Sequence, residues 1–233
     1  METTNFADVY EYAVAEIDDV RLENLKKTNP ALYLRRLWDY LRNAIPLFSS
    51  PMGMVKKLEN YVAPTFDDET FVCDGQTTVF TLSTGGECIC VTNDRGNVVA
   101  VIIPAESTTD RGVTYDEETH TLTFATAPHG EIYVDLYTDG YFNFDLNIKE
   151  LSILGIAFRL VWFSKIANTF LRTTPKIKDK NFNMDSSWGV EQADTAKVKS
   201  LKTELVDAMK EYENSLAYGV VVPSARQLLN RAT

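Results

Sequence analysis

Three cysteines, two histidines and two short runs of acidic residues are the side chains of this 233-residue chain whose types and spacing could carry chemistry. Cys88 and Cys90 stand two apart, so a regular strand would project both thiols from one face, as a metal site could use. A tetrahedral site needs further ligands, and Cys73, His120 and His129 lie far off in sequence. The expectation is therefore no metal ion, no cofactor, and cysteines buried on strands. A Cys73–His129 or Cys88–His120 pair would supply a thiol and a base, but no neighbouring group stands ready to orient either histidine. His129, within Ala127-Pro128-His129-Gly130, reads as an exposed turn residue. Asp67-Asp68-Glu69 and Asp116-Glu117-Glu118 could bind a divalent cation, yet their order is not that of a helix–loop–helix calcium site. The second run falls in a predicted hairpin turn, where acids are ordinarily solvated. The remaining acids of the middle third are too scattered for a glycosidase-like carboxylate pair to stand out. Gly85-Gly86 precedes a strand and not a helix, so it cannot cradle phosphate as a loop–helix junction does. No constellation points to catalysis, and the expectation is a protein that is not an enzyme.

Two further segments carry potential for contacts. Lys165, Arg172, Lys176, Lys178 and Lys180 form a basic run with few aromatic neighbours, Phe170 and Phe182. Arg172, Lys176, Lys178 and Lys180 are candidates for a subunit interface or for facing DNA, against the plainer reading of a solvated loop. The end of the chain is apolar: Val220-Val221-Val222-Pro223, then Leu228-Leu229 and Arg231. Such a segment docks on a partner or packs back on its own domain.

The elements that would position these residues separate by charge. Residues 63–145 hold 2 basic and 15 acidic side chains, net −13, whereas residues 1–62 are net −1 and residues 146–233 are net +4. The middle third is thus chemically distinct. Ahead of it, Phe6, Val9, Tyr10, Ala13, Val14, Ile17 and Val20 recur at helical steps and predict one amphipathic helix over 5–28. Asn29-Pro30 breaks it. A second helix runs from Pro30 to about Pro46, and a short third one covers about 53–62. After the acidic segment, Asn147 and Glu150 resemble a capping box. The helix they open, about 148–171, is apolar on nearly every face and so predicts a buried centre. Pro175 to Gly189 reads as a polar loop, and a last helix over about 190–217 carries the stripe Val198, Leu201, Leu205, Met209, Tyr212, Leu216.

Inside residues 63–145 the period changes to two. Short β-rich runs flank Asp74-Gly75, Asn93–Asn97 and Ala127–Gly130, the pattern of an antiparallel sandwich or small barrel. The fold class expected is α+β: a helical bundle from residues 1–62 and 146–219, an inserted acidic β-domain at 63–145, and a docking segment at 220–233. The N-terminus is polar and acidic, unlike a secretory signal. The longest apolar stretch, Leu151–Phe163, falls short of the ~20 residues a membrane span needs. Sparse, odd-numbered cysteines fit a reducing cytoplasm.

The acidic segment carries a resemblance. Phe71-Val72-Cys73-Asp74-Gly75-Gln76-Thr77-Thr78-Val79-Phe80-Thr81-Leu82 resembles the F-x-x-D-G-x-T-x-x-F-x-L opening of β-sandwich modules in tailed-bacteriophage structural proteins. Gly112-Val113-Thr114-Tyr115-Asp116, with Leu122-Thr123-Phe124-Ala125-Thr126-Ala127-Pro128-His129-Gly130-Glu131-Ile132, is similar to the tLtFatAP-x-G-x-I close of those modules. Together they cover roughly a third of the chain. A helical body with a β insertion and an extended C-terminal segment looks like a head–tail connector (adaptor) subunit. That resemblance implies a homo-oligomeric ring, twelve-fold in the family, located in the virion neck and assembled in the host bacterial cytoplasm. It implies a portal protein and tail or neck proteins as partners, DNA passing through the channel without specific binding, and no membrane. The portal-docking element would be Val220–Thr233. Competing expectations are another virion role (collar, baseplate, fibre attachment or decoration) and a host-glycan-binding module in which Tyr115, Tyr133, Tyr137, Tyr141 and Phe142 stack on sugar.

Overall fold

The computed structural model describes residues 3–15, 17, 19–83, 85–93, 98–101, 112–173 and 185–218. They form a mixed α+β structure with three small antiparallel sheets, none closed into a barrel among the described residues. Contacts divide the chain into two compact units: Met1–Asp18, Asp39–Val62 and Tyr141–Thr233 in one, Asp19–Trp38 and Ala63–Gly140 in the other.

The first unit begins with strand β1 (Thr4–Asn5) and helix α1 (Phe6–Val14). The single helix expected over 5–28 is two helices. The backbone turns after Val14, Ile17 N–H donates to Val14 O, and Asp19 caps a new helix, α2 (Val20–Thr28), by accepting from Arg21 N–H at 2.8 Å. An aspartate that bonds the following amides competes with helix continuation, which hydrophobic periodicity alone does not register. Helix α3 (Pro30–Ala44) starts where expected. Its first-turn proline needs no N–H partner, and Asn29 Oδ1 accepts from Leu32 N–H at 2.9 Å.

Helix α4 (Met52–Glu59) buries Met54 and Leu58 and leads into β2 (Tyr61–Val62). β2 pairs with β10 (Tyr141–Phe142), which pairs with β1. Helix α5 (Ile148–Thr173) packs on α1 and on α6 (Asp185–Ala217). α5 buries Leu151, Ile153, Leu154, Ile156, Ala157, Phe158, Leu160 and Trp162, as a helix apolar on most faces must. Gly155 permits the close approach of α1: a Cβ there would sit 3.2 Å from the Tyr12 ring. Tyr40 meets Phe158 and Trp162 edge-on at 5.8 and 4.9 Å. α6 begins inside the stretch expected as loop. It lays Leu201, Leu205, Met209 and Tyr212 inward, but Leu216 is exposed. Tyr212 already meets the N-terminus of α5 through Asn147, so the helix beyond it has outrun its partner.

The second unit holds a four-stranded sheet ordered β3 (Thr65–Asp74), β9 (His129–Thr138), β5 (Glu87–Asn93), β6 (Val98–Val101). Its other sheet is ordered β4 (Val79–Thr81), β8 (Thr121–Phe124), β7 (Val113–Asp116). Strands on either side of Asp74-Gly75 therefore belong to different sheets. One apolar cluster draws on both: Cys73, Val91, Ile132, Val134 and Leu136 from the first, Phe80, Val113, Leu122 and Phe124 from the second. Alternation along each strand supplies one inward residue in two.

Residues Asp19–Trp38 cluster with these strands. Ala31 and Leu34 of α3 cover Cys90, Tyr137 and Phe66, and the Arg35 guanidinium lies over the Phe66 ring, 5.2 Å from its centroid. This stretch carries five basic and two acidic side chains, a charge complement to an acidic module.

Candidate functional site

Cys88 is placed only as a backbone position in β5. A bulge between Cys88 and Cys90 sets Cys88 opposite Leu136 and Cys90 opposite Asp135. Leu136 and Asp135 are neighbours on β9, so the backbone register shifts by one residue between the two cysteine positions. Cys90 is buried, with Sγ 3.0 Å from Asp135 Oδ2. Cys73 is buried as well, and burial followed by the Asp74 charge holds its thiol above the ordinary range. A thiol kept protonated is a weak nucleophile. His129 pairs across the sheet with Asp74 and is exposed, whereas Cys73 pairs with Gly130 and faces the core. Adjacent positions on a strand point apart, so this thiol and imidazole are not brought together.

The acidic runs have local structural partners. Glu69 accepts from Ser83 N–H at 2.9 Å and from its hydroxyl at 3.0 Å. Asp116 Oδ1 accepts from Glu118 and Thr119 N–H in the β7–β8 turn. Glu87 is half-buried, and burial first, then Glu117 and Asp139, raises its carboxyl pKa. Among the described residues no group of three or more His, Cys, Asp and Glu is arranged to hold a metal ion.

The residues that carry the phage-module resemblance act as framework. Asp74 Oδ1 accepts from Gln76 and Thr77 N–H at 2.8 and 2.7 Å, and Oδ2 from the Thr77 hydroxyl. The amide of Thr77, then that of Gln76, draws the Asp74 pKa below its usual value. Gly75 takes φ +75°, a left-handed conformation that favours glycine, and its N–H donates to Pro128 O at 3.1 Å. Phe71, Phe80 and Phe124 stack in sequence with ring centroids 5.3 and 5.6 Å apart. The opening and closing stretches therefore meet in register, Asp74 opposite His129. Of the aromatics considered for sugar stacking, Tyr137 and Phe142 are buried, Tyr115 donates to Gly86 O at 2.6 Å, and Tyr133 is 37% exposed.

The densest polar cluster of the described residues surrounds a buried carboxylate in the first unit. Glu150 Oε2 receives Lys57 Nζ at 2.8 Å and Asn147 N–H at 2.8 Å. Its Oε1 accepts from the Tyr212 hydroxyl at 2.9 Å. Asn147 Oδ1 accepts from Glu150 N–H, completing the reciprocal cap that the spacing predicted. Lys57 Nζ also reaches Asp145 O, and Asn147 Nδ2 donates to the Tyr212 oxygen. Nothing in the sequence near Lys57 or Tyr212 announces this role. Every oxygen of Glu150 is engaged, so the cluster clamps α4, α5 and α6 and leaves no vacant acid or base.

Lys176, Lys178, Lys180, Val220, Val221, Val222, Pro223, Leu228, Leu229 and Arg231 lie outside the described residues, and Arg172 is placed only as a backbone position in α5. Among known proteins, no family model matches the chain and no curated protein does.

Proposed function

We propose that this chain is a structural subunit of a tailed-phage virion, a ring-forming head–tail connector of the neck. In this reading a helical bundle carries a two-layer β-sandwich as an insertion. The observation that supports it most is the meeting of the two resemblance stretches: Gly75 N–H bonds Pro128 O, and the turn residues Asp74, Gly75 and Thr77 serve the framework. A module whose signature residues are all spent on shape fits a building block of an assembly. Cys90, Glu69 and Asp116, among the groups that could carry chemistry, are engaged in hydrogen bonds of the framework, which adds weight to a scaffolding role. No described helix is long and apolar enough to cross a membrane, in keeping with work in an aqueous assembly.

The portal protein would receive Val220–Thr233, neighbouring copies would close a ring of twelve, and DNA would pass through the channel without specific contacts. Assembly would take place in the host cytoplasm and the product would reside in the virion neck. Mixing the purified chain with portal rings tests this: native mass measurement should show a ring of copies on each portal, lost when residues 220–233 are deleted. Portals that stay bare with the full-length chain would refute it.

A further inference from the structure

Charges on α6 divide in large part by flank, with Lys197 on the acidic side, over the Phe163 ring of α5. The acids on one side are engaged with α5: Glu204 lies 3.7 Å from Arg159, and Glu211 lies 3.9 Å from Lys149. On the other side Lys199, Lys202, Val206 and Lys210 follow at steps of three and four, the spacing of one helix face. All four are exposed, Val206 at 43%, and the three lysines make no ion pair among the described residues. Two acids border that flank: Glu213 at its C-terminal end and Asp207, three residues before Lys210.

The second unit presents a surface of matching form and opposite sign. On the outer face of the β3–β9 pair, Val72 lies opposite Glu131, Thr70 opposite Tyr133, and Asp68 opposite Asp135. Among the described residues, α3 covers the Phe66–Tyr137 end of this face. Beyond that end Val72 is 80% exposed and Tyr133 37%, with Asp68 and Glu131 beside them. An exposed apolar centre with a charged rim is the build of a protein interface. A DNA track would need basic residues without an apolar centre, on a chain not carrying a net charge of −10.

We propose that copies of this chain join head to tail, the lysine flank of α6 on one copy seating on the outer β3–β9 face of the next. The inference rests on the ring reading and names the surfaces that would make the ring. Two different patches meeting give a heterologous contact, which closes into a ring or runs on as a filament.

Charge exchange tests it in the full chain. The wild type should self-associate at about 0.1 M salt and dissociate near 1 M, where the screening length falls from roughly 10 Å to roughly 3 Å. Lys199→Glu with Lys202→Glu should leave monomers, as should Asp68→Lys with Glu131→Lys. An equimolar mixture of the two variants should regain oligomers, because each then offers the other a complementary pair. Oligomers indifferent to both reversals would overturn these surfaces while leaving the ring intact. A monomer under every condition would also overturn them, and the portal mixture would then decide the connector reading separately. Loss of duplex-DNA retention on lysine reversal, with unchanged mass, would reassign the flank to phosphate and overturn the proposal.

Discussion

The phenol of Tyr212 donates a 2.9 Å hydrogen bond to Glu150 Oε1 across 62 positions of sequence, and the same carboxylate holds Lys57 at 2.8 Å. Three helices of the first unit thus share one buried anion. Taking away either partner leaves a charge or a polar atom without its counterpart in a place water reaches poorly.

Glu150→Gln should cost the first unit roughly 3 kcal/mol, the low end for breaking a buried pair, because the Lys57 side chain is 30% exposed and recovers some hydration. Tyr212→Phe removes the bond to the charged Glu150 carboxylate and the one from Asn147 Nδ2, and should cost about 2–3 kcal/mol. Chemical denaturation of both variants and of the double variant checks this. The combined loss should fall short of the sum, since both changes strike one cluster.

Burial comes first among the causes that push the Tyr212 pKa from 10.0 to about 12; the Asn147 bond opposes it, and the Glu150 charge and hydrogen bond add to it. A raised folded value means the native state holds this proton more tightly than the unfolded chain. The stabilisation is complete below pH 10 and is lost as pH rises through 12. Absorbance titration of Tyr212→Phe should lose one late-ionising tyrosine while Tyr33, whose pKa burial also raises, is retained, and alkaline unfolding should set in earlier in that variant.

Gly75→Ala should destabilise the second unit by about 1–2 kcal/mol, the cost of a left-handed conformation for a residue with a Cβ. The new Cβ would also overlap the His129 ring, but His129 is exposed and its ring can turn aside. The loss should therefore persist nearly undiminished in a His129→Ala background. If removing the ring restores stability, steric overlap and not backbone conformation governs the turn.

Asp74 has a folded pKa below its ordinary value, because the Thr77 and Gln76 amides favour its charged form. Its contribution is present above the ordinary carboxylate range and disappears as pH falls through the lowered folded value. Asp74→Asn should melt earlier than wild type near neutrality, and the gap in Tm should shrink on acidification below pH ~4.

Much of the helical part was legible in residue order. The start of α3 at Pro30, the reciprocal cap of Asn147 and Glu150, and the buried character of α5 each arise from signals within a turn or two of chain. The break between α1 and α2 is legible too, in Asp19, a capping residue set within the apolar stripe. The β7–β8 hairpin around Asp116–Thr121 follows from its own turn chemistry.

Sequence alone determined the α+β composition, the change of period near residue 63, the helix breaks and the acidic character of the middle third, because each is a property of neighbours along the chain. Tertiary structure alone decided that β3 pairs with β9, that a bulge shifts the register between Cys88 and Cys90, and that Lys57 and Tyr212 find Glu150. It also decided that residues 19–38 cluster with the strands. Strands with the same alternation are locally equivalent partners, and a one-residue slip reverses which face each residue joins. The choice among them falls to the pairing that buries the most apolar surface and leaves the fewest polar groups unmet, a sum over the folded chain that no short stretch contains.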